Sequence, residues 1–237
     1  MPEESAQSEP SLLVDAVPSP FTLSLDRTAL VVIDMQRDFL LPGGFGETLG
    51  NDVSQLATVV PPLQRVLAAA RAAGMPVIHT REGHRPDLSD LPPAKHRRGL
   101  PSLRIGDPGP YGRILIRGEY GHDIVDELAP LPGELVIDKP GKGSFYGTNL
   151  QAVLTEASIT TLVVTGVTTE VCVHTTVREA NDRGFEVLVL SDCVGSYFPE
   201  FQRVGLEMVV AQGGIFGWVA DSAALLAAIP QPATTAT

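Results

Sequence analysis

Five short apolar runs constrain this chain more than any other feature. They are "ALVVID" (residues 29–34), "PVIHT" (76–80), "ELVIDK" (134–139), "TTLVVTGV" (160–167) and "FEVLVLSD" (185–192). Their apolar residues run on without a polar alternation, so a strand made from them has no face to give to water. Such strands belong to a parallel sheet with helices on both sides.

The segments between the runs have helical character. Residues 53–74 show helical spacing after Pro61 and Pro62 and stop at Gly74; residues 149–157 follow the third run. Residues 170–183 form a helical stretch closed by Gly184, and 201–212 and 222–228 are two more, with "GIFGWV" (214–219) as a short sixth strand. Strand–helix alternation of this kind predicts a three-layer α-β-α sandwich around a mainly parallel six-stranded sheet. With 237 residues the chain suffices for one such domain. We assign it to residues 26–229, after an acidic, Pro/Ser-rich mobile arm (1–25) and before a disordered tail (230–237). Residues 81–120, rich in Pro, Gly and Arg, are too long for a simple connection and are expected to form a functional loop near the site.

The net charge of −11 excludes a nucleic-acid-binding surface, which needs clustered Lys and Arg. No run approaches the ~20 apolar residues of a membrane span, and the N-terminus lacks a basic, then apolar, leader. Two cysteines make no disulfide framework. A cytoplasmic protein with reduced thiols is expected.

In an open parallel sheet, ligands bind beyond the carboxyl ends of the strands. Asp34 ends the first run, His79 lies near the end of the second, and Lys139 ends the third. Cys172 follows the fourth run and Cys193 the fifth. Cys172 in the first turn of a helix is open to two readings, a small packing residue or a nucleophile. With Thr168 or Thr169 as cap, the helix start would lower the thiol pKa and offer N–H groups to an oxyanion. Asp34 is costly to bury without a partner or a task; Asp38 is its weaker rival, and Lys142 competes with Lys139. "PGKGS" (140–144) lacks the spacing of a nucleotide-phosphate loop. His79 and His84 with Asp87 are conceivable metal ligands, but the five histidines are scattered and no metal or other cofactor is expected. His174 reads as a helix-surface residue and Cys193 as packing.

With Asp34, Lys139 and Cys172 placed, longer motifs come into view: "ALVVIDMQRDFLLPGG", "DKPGKGSFYGTNL" and "TGVTTEVCVHTTVREANDRGFEVLVLSDC". They resemble the isochorismatase-like cysteine hydrolase superfamily, which includes nicotinamidases, N-carbamoylsarcosine amidases and ureidoacrylate amidohydrolases. "HTREGHRPDLSDLPPAK", "IGDPGPYGRILIRGEYGHDI" and "AQGGIFG" look most like the biuret hydrolases within it, although Tyr146 and Gly147 stand where smaller residues are expected. The resemblance implies a triad of Asp34, Lys139 and Cys172, and a cis peptide between Val167 and Thr168. It also implies an oxyanion hole from the N–H groups of Thr168 and Cys172, substrate contacts from Phe39, Lys142 and Gln212, and a homotetramer. The implied reaction is hydrolysis of a small ureide through a thioester, biuret first. Ureidoacrylate, triuret or an N-carbamoyl amino acid are alternatives. Isochorismatase is disfavoured by the cysteine, nicotinamidase by a missing D-x-H motif, and a non-catalytic binding protein by the three residues together.

Overall fold

The computed structural model describes residues 11–230. In chain order the strands are β1 (Leu12–Val14), β2 (Phe21–Leu23), β3 (Thr28–Ile33), β4 (Val77–Glu82), β5 (Pro108–Gly109), β6 (Gly112–Arg113), β7 (Leu135–Lys139), β8 (Thr161–Val167), β9 (Glu186–Gly195) and β10 (Trp218–Ala220). The α-helices are α1 (Arg37–Leu40), α2 (Phe45–Thr48), α3 (Ser54–Ala57), α4 (Val60–Ala72), α5 (Pro93–His96), α6 (Leu150–Glu156), α7 (His174–Asp182), α8 (Pro199–Gly214) and α9 (Ser222–Ala228).

Six strands form one sheet in the order β10-β9-β8-β3-β4-β7, every neighbour parallel. Period-two alternation divides β3 between two cores. Leu30 and Val32 join α4 and α9 through Leu63, Val66, Leu67 and Leu225; Ala29, Val31 and Ile33 join α6, α7 and α8 through Leu154, Val177 and Val209. The expected α-β-α sandwich is thus observed, and it explains why the strand sequences have no polar face.

The N-terminal expectation needs correction. Residues 1–10 lie outside the described residues, but the rest of the supposed arm is structured. β1 and β2 form an antiparallel hairpin that buries Val14 and Phe21. The Phe21 ring packs on Trp218 with centroids 4.8 Å apart, and Val17 exchanges both backbone hydrogen bonds with Val219 of β10. An acidic, proline-rich composition concealed a short alternating strand pair. At the other end, residues 231–237 of the expected tail also lie outside the described residues.

Residues 81–120 are more ordered than a simple lid. β4 runs on through Glu82, two residues beyond the expected strand end. The loop then buries Ile114, Leu115 and Ile116, and His84 is tied to it at both ends, its N–H donating to Leu115 O (2.8 Å) and its O accepting from Arg117 N–H (2.9 Å).

Candidate active site

β3 and β8 are adjacent in the middle of the sheet, with β4 and β7 beside them. Their carboxyl ends deliver the site. Asp34 is the first residue past β3, with φ of +51°, a left-handed conformation that costs a non-glycine residue about 1 kcal/mol or more. Three bonds hold it there. Its N–H donates to Thr80 O (3.1 Å), its O accepts from Gln36 N–H (2.7 Å), and Thr80 Oγ1 donates to Oδ1 (2.8 Å).

Lys139, the last residue of β7, is wholly buried. Its Nζ lies 2.7 Å from Asp34 Oδ2 and donates to the carbonyls of Gly141 (3.0 Å) and Lys142 (2.8 Å). The contact with Asp34 is a short, charge-assisted ion pair. Burial works against the ammonium, but the Asp34 carboxylate, foremost among nearby acceptors, holds its pKa above the ordinary lysine range. With three oxygens around Nζ, Lys139 is a fixed positive charge.

Cys172 sits in a wide π-helical turn, Thr169–Val173, that precedes α7. Its widening is visible in Val173 N–H, which reaches back five residues to Thr168 O (3.2 Å). The peptide between Val167 and Thr168 is cis, as the resemblance implied. No threonine side chain caps the turn, contrary to expectation; the Thr169 hydroxyl is instead bonded to Gln202. The thiol pKa also runs opposite to the helix-start argument. Burial pushes it well above the ordinary thiol value, and the carboxylates of Asp34 and Glu82 add to this against the pull of Lys139 and Lys142. Burial thus favours the thiol over the thiolate, and a base beside the sulfur would assist its ionisation.

Glu82 was not anticipated. It ends β4, is 1% exposed, and places Oε2 3.6 Å from Cys172 Sγ. Lys142 Nζ contacts both of its oxygens (2.8 and 3.0 Å), and Lys95 Nζ reaches Oε1 at 3.2 Å. Burial alone would raise its pKa; the ammonium groups of Lys142, Lys139 and Lys95 overcome this and hold it at about 2. Its backbone is braced by Gln36, whose Oε1 accepts from Glu82 N–H (2.7 Å) and whose Nε2 donates to Glu82 O (3.0 Å). Ending the second strand at Thr80 hid this residue; extending the run by two residues to "VIHTRE" brings Glu82 to the same edge as Asp34 and Lys139.

Asp34, Glu82 and Cys172 present ligand atoms within 4.8 Å of one another, a grouping that could hold a cation on distance alone. The ammonium groups of Lys139 and Lys142 already stand against the two carboxylates and supply the charge a metal would bring.

The thiol faces a cavity of about 250 Å³ walled by Phe39, Phe45, Val167, Thr168, Tyr197 and Phe198, with Glu82 and Lys142 among its polar groups. Phe39, Thr168 and Lys142 thus line the cavity at the thiol. Gln212 is not. Residues 211–213 leave helical geometry, Gln212 takes φ of +55°, and its side chain is exposed and outside this cavity. A larger space of about 670 Å³ adjoins through Phe45, Leu49 and Lys142, and is lined by Lys95, Arg98 and Arg104 from the 81–120 loop.

The remaining candidates fall elsewhere. Asp38 is buried, accepts from the N–H groups of Phe45 and Leu115, and stands outside the thiol cluster; burial raises its pKa to about 6. His79 pairs with Glu134 (3.1 Å) and His84 with Asp90 (3.2 Å), while Asp87 accepts from Ser89 N–H, so these three do not converge. His174 is buried rather than superficial, with Nε2 3.0 Å from Gly205 O and Nδ1 accepting from Arg178 Nε (3.0 Å). Cys193 is a buried core residue, as expected.

A parallel sheet with a carboxylate, an amine and a thiol at one edge is the ground plan of a known group of hydrolases. The isochorismatase domain model matches residues 28–224; the chain belongs to the isochorismatase family and is a hydrolase. Among named relatives, the ureidoacrylate amidohydrolase RutB of Methylobacterium radiotolerans is 34% identical over 226 residues, covering 93% of this chain and 86% of the relative. A cysteine hydrolase from Pseudomonas syringae pv. phaseolicola 1448A superposes with a TM-score of 0.75 at 29% identity, over 94% of this chain and 98% of that one. The N-carbamoylsarcosine amidase of Thermoplasma acidophilum gives 0.63 at 25% identity, over 83% and 96%.

Proposed function

We propose that this enzyme hydrolyses the terminal carbamoyl amide of a small ureide through a Cys172 thioester, with ureidoacrylate as the leading substrate. The observation that carries it is the buried Asp34–Lys139 pair at 2.7 Å with the Cys172 sulfur grouped beside Asp34. Asp34 takes the thiol proton as sulfur attacks the carbonyl, and Lys139 stabilises the charge left behind. The N–H groups of Thr168 and Cys172 receive the developing oxyanion. Ammonia departs with the proton from Asp34, which then activates the water that cleaves the thioester.

Two observations favour ureidoacrylate over the biuret first implied by the motifs. Relatives bearing that activity in their names match nearly the whole chain. The adjoining space, largely apolar, also carries Lys95, Arg98 and Arg104 along with the acid Glu179, and those cations suit a substrate carboxylate. Biuret is the second reading, favoured by the compact cavity of about 250 Å³ at the thiol.

Ammonia release from ureidoacrylate, biuret, triuret, N-carbamoyl amino acids and nicotinamide tests both. The expected result is strong preference for a ureide, abolished by Cys172→Ala in a protein of unchanged circular dichroism. Full activity in that variant would remove the assignment.

A further inference from the structure

Asp34 and Glu82 flank Cys172 from two strands, and only Asp34 has a part in the reaction so far. Glu82 is a buried carboxylate aimed into the cavity, an expensive thing to keep unless its lone pairs are used. A carboxylate has about four acceptor positions. Lys95 and Lys142 take Oε1; Lys142 takes one position on Oε2. The other side of Oε2 faces only the thiol, at 3.6 Å, a long contact to a weak donor. The Gln36 side chain holds the Glu82 backbone at its N–H and O, and Lys142 and Lys95 hold the carboxylate itself.

Consider a carbonyl carbon poised for attack, about 3–3.5 Å from the sulfur. Its two substituents lie one bond further on, about 1.33 Å each for amide nitrogens. In a simple carboxamide one substituent is the leaving NH₂ and the other is carbon. In a ureide both are nitrogen, and the retained one carries an N–H. If the leaving nitrogen turns toward Asp34 to collect its proton, the retained substituent can turn toward Glu82, which lines the cavity.

We infer that Glu82 Oε2 accepts a hydrogen bond from the retained ureide N–H and so makes this site select ureides over carboxamides, an inference that rests on the ureide amidohydrolase reading above. Lys142 and Lys95 keep the carboxylate charged and in place. A substrate with a methylene at that position would leave the carboxylate lone pair facing carbon, and sites built around such a bond discriminate by on the order of 10²-fold or more.

The test compares isosteric pairs: biuret with malonamide, in which CH₂ replaces the bridging N–H, and ureidoacrylate with the acid bearing CH₂ in place of the same N–H. Wild-type enzyme is expected to favour the ureide of a pair by about 10²-fold or more in kcat/KM. In Glu82→Gln and Glu82→Ala that ratio should collapse toward unity, mostly through loss on the ureide. A carboxylate that merely neutralises the two lysines would lower both members equally, and an unchanged ratio overturns the inference while leaving the amidohydrolase reading intact. Calorimetric binding of the same pairs to Cys172→Ala with and without Glu82→Gln gives the ratio independently of turnover; equal affinities of the pair in the single variant also overturn it. A wild type that cleaves no ureide overturns both readings together.

Discussion

Lys139 Nζ stands 2.7 Å from Asp34 Oδ2, and neither side chain reaches solvent. A buried pair of this kind is costly to break because the survivor is left as an unpaired charge. Lys139→Met should therefore destabilise the fold by about 3–5 kcal/mol as well as abolish turnover. Asp34→Asn combined with Lys139→Met should regain part of that stability and stay inactive. Urea denaturation of the two variants decides it; equal losses would show that the pair is not coupled.

The thiol should behave as a protonated, buried group. Its pKa lies above the ordinary value because burial opposes the thiolate, so the alkylation rate of Cys172 with iodoacetamide should keep rising with pH through 9. A plateau near neutrality would mean a preformed thiolate and remove the need for Asp34 as base.

Acid should reach the site through Glu82. Its pKa falls from 4.5 unfolded to about 2 folded, so its contribution is complete above about 4.5 and disappears as the pH drops toward 2. The depression corresponds to roughly 3 kcal/mol, an order-of-magnitude figure. Stability measured from pH 6 down to 2 should fall less steeply in Glu82→Gln than in wild type. Parallel curves would contradict the assignment.

Lys95 fastens α5 to the sheet edge. Its Nζ meets Glu82 Oε1 (3.2 Å), Pro140 O (2.7 Å) and His84 Nε2 (3.1 Å). Lys95→Ala should let the segment around the exposed Arg97 and Arg98 open more often. A loss of about 1.4 kcal/mol in local opening free energy raises tryptic cleavage there about tenfold. Unchanged cleavage would show the loop is held by its apolar residues instead.

Gly166 allows β8 to lie against β3 just before the cis peptide. Its φ is +105°, and a Cβ there would sit 2.0 Å from Ile33 O, a backbone atom with nowhere to go. Gly166→Ala should cost at least about 2 kcal/mol in thermal unfolding and displace Thr168, with activity falling further than stability alone explains.

Much of this could be read from the chain because the same pattern that makes a strand fully buried also fixes where it ends. The five apolar runs gave the sheet, and the sheet rule put Asp34, Lys139 and Cys172 at one edge. Glu82 escaped because the polar "RE" after "VIHT" resembles a loop, yet the Arg81 and Glu82 backbones pair in register with Asp138 and Lys139. Gln212 stands outside the thiol cavity because the chain reverses at residues 211–213, a feature of local dihedrals that motif spacing does not encode. The thiol pKa was misjudged for a similar reason. A helix start can be seen in sequence, but the depth at which the sulfur is buried cannot.

The hairpin of β1 and β2 has a consequence beyond its own packing. β10 is a three-residue border strand, and its outer rim is closed by Val17, whose N–H and O bond Val219 O (2.9 Å) and N–H (3.0 Å). Removing the first 25 residues would strip that guard and bare the apolar ground under Phe21. The shortened chain would then carry a ready template for a stray strand, and the loss would first be seen as self-association rather than as lost catalysis.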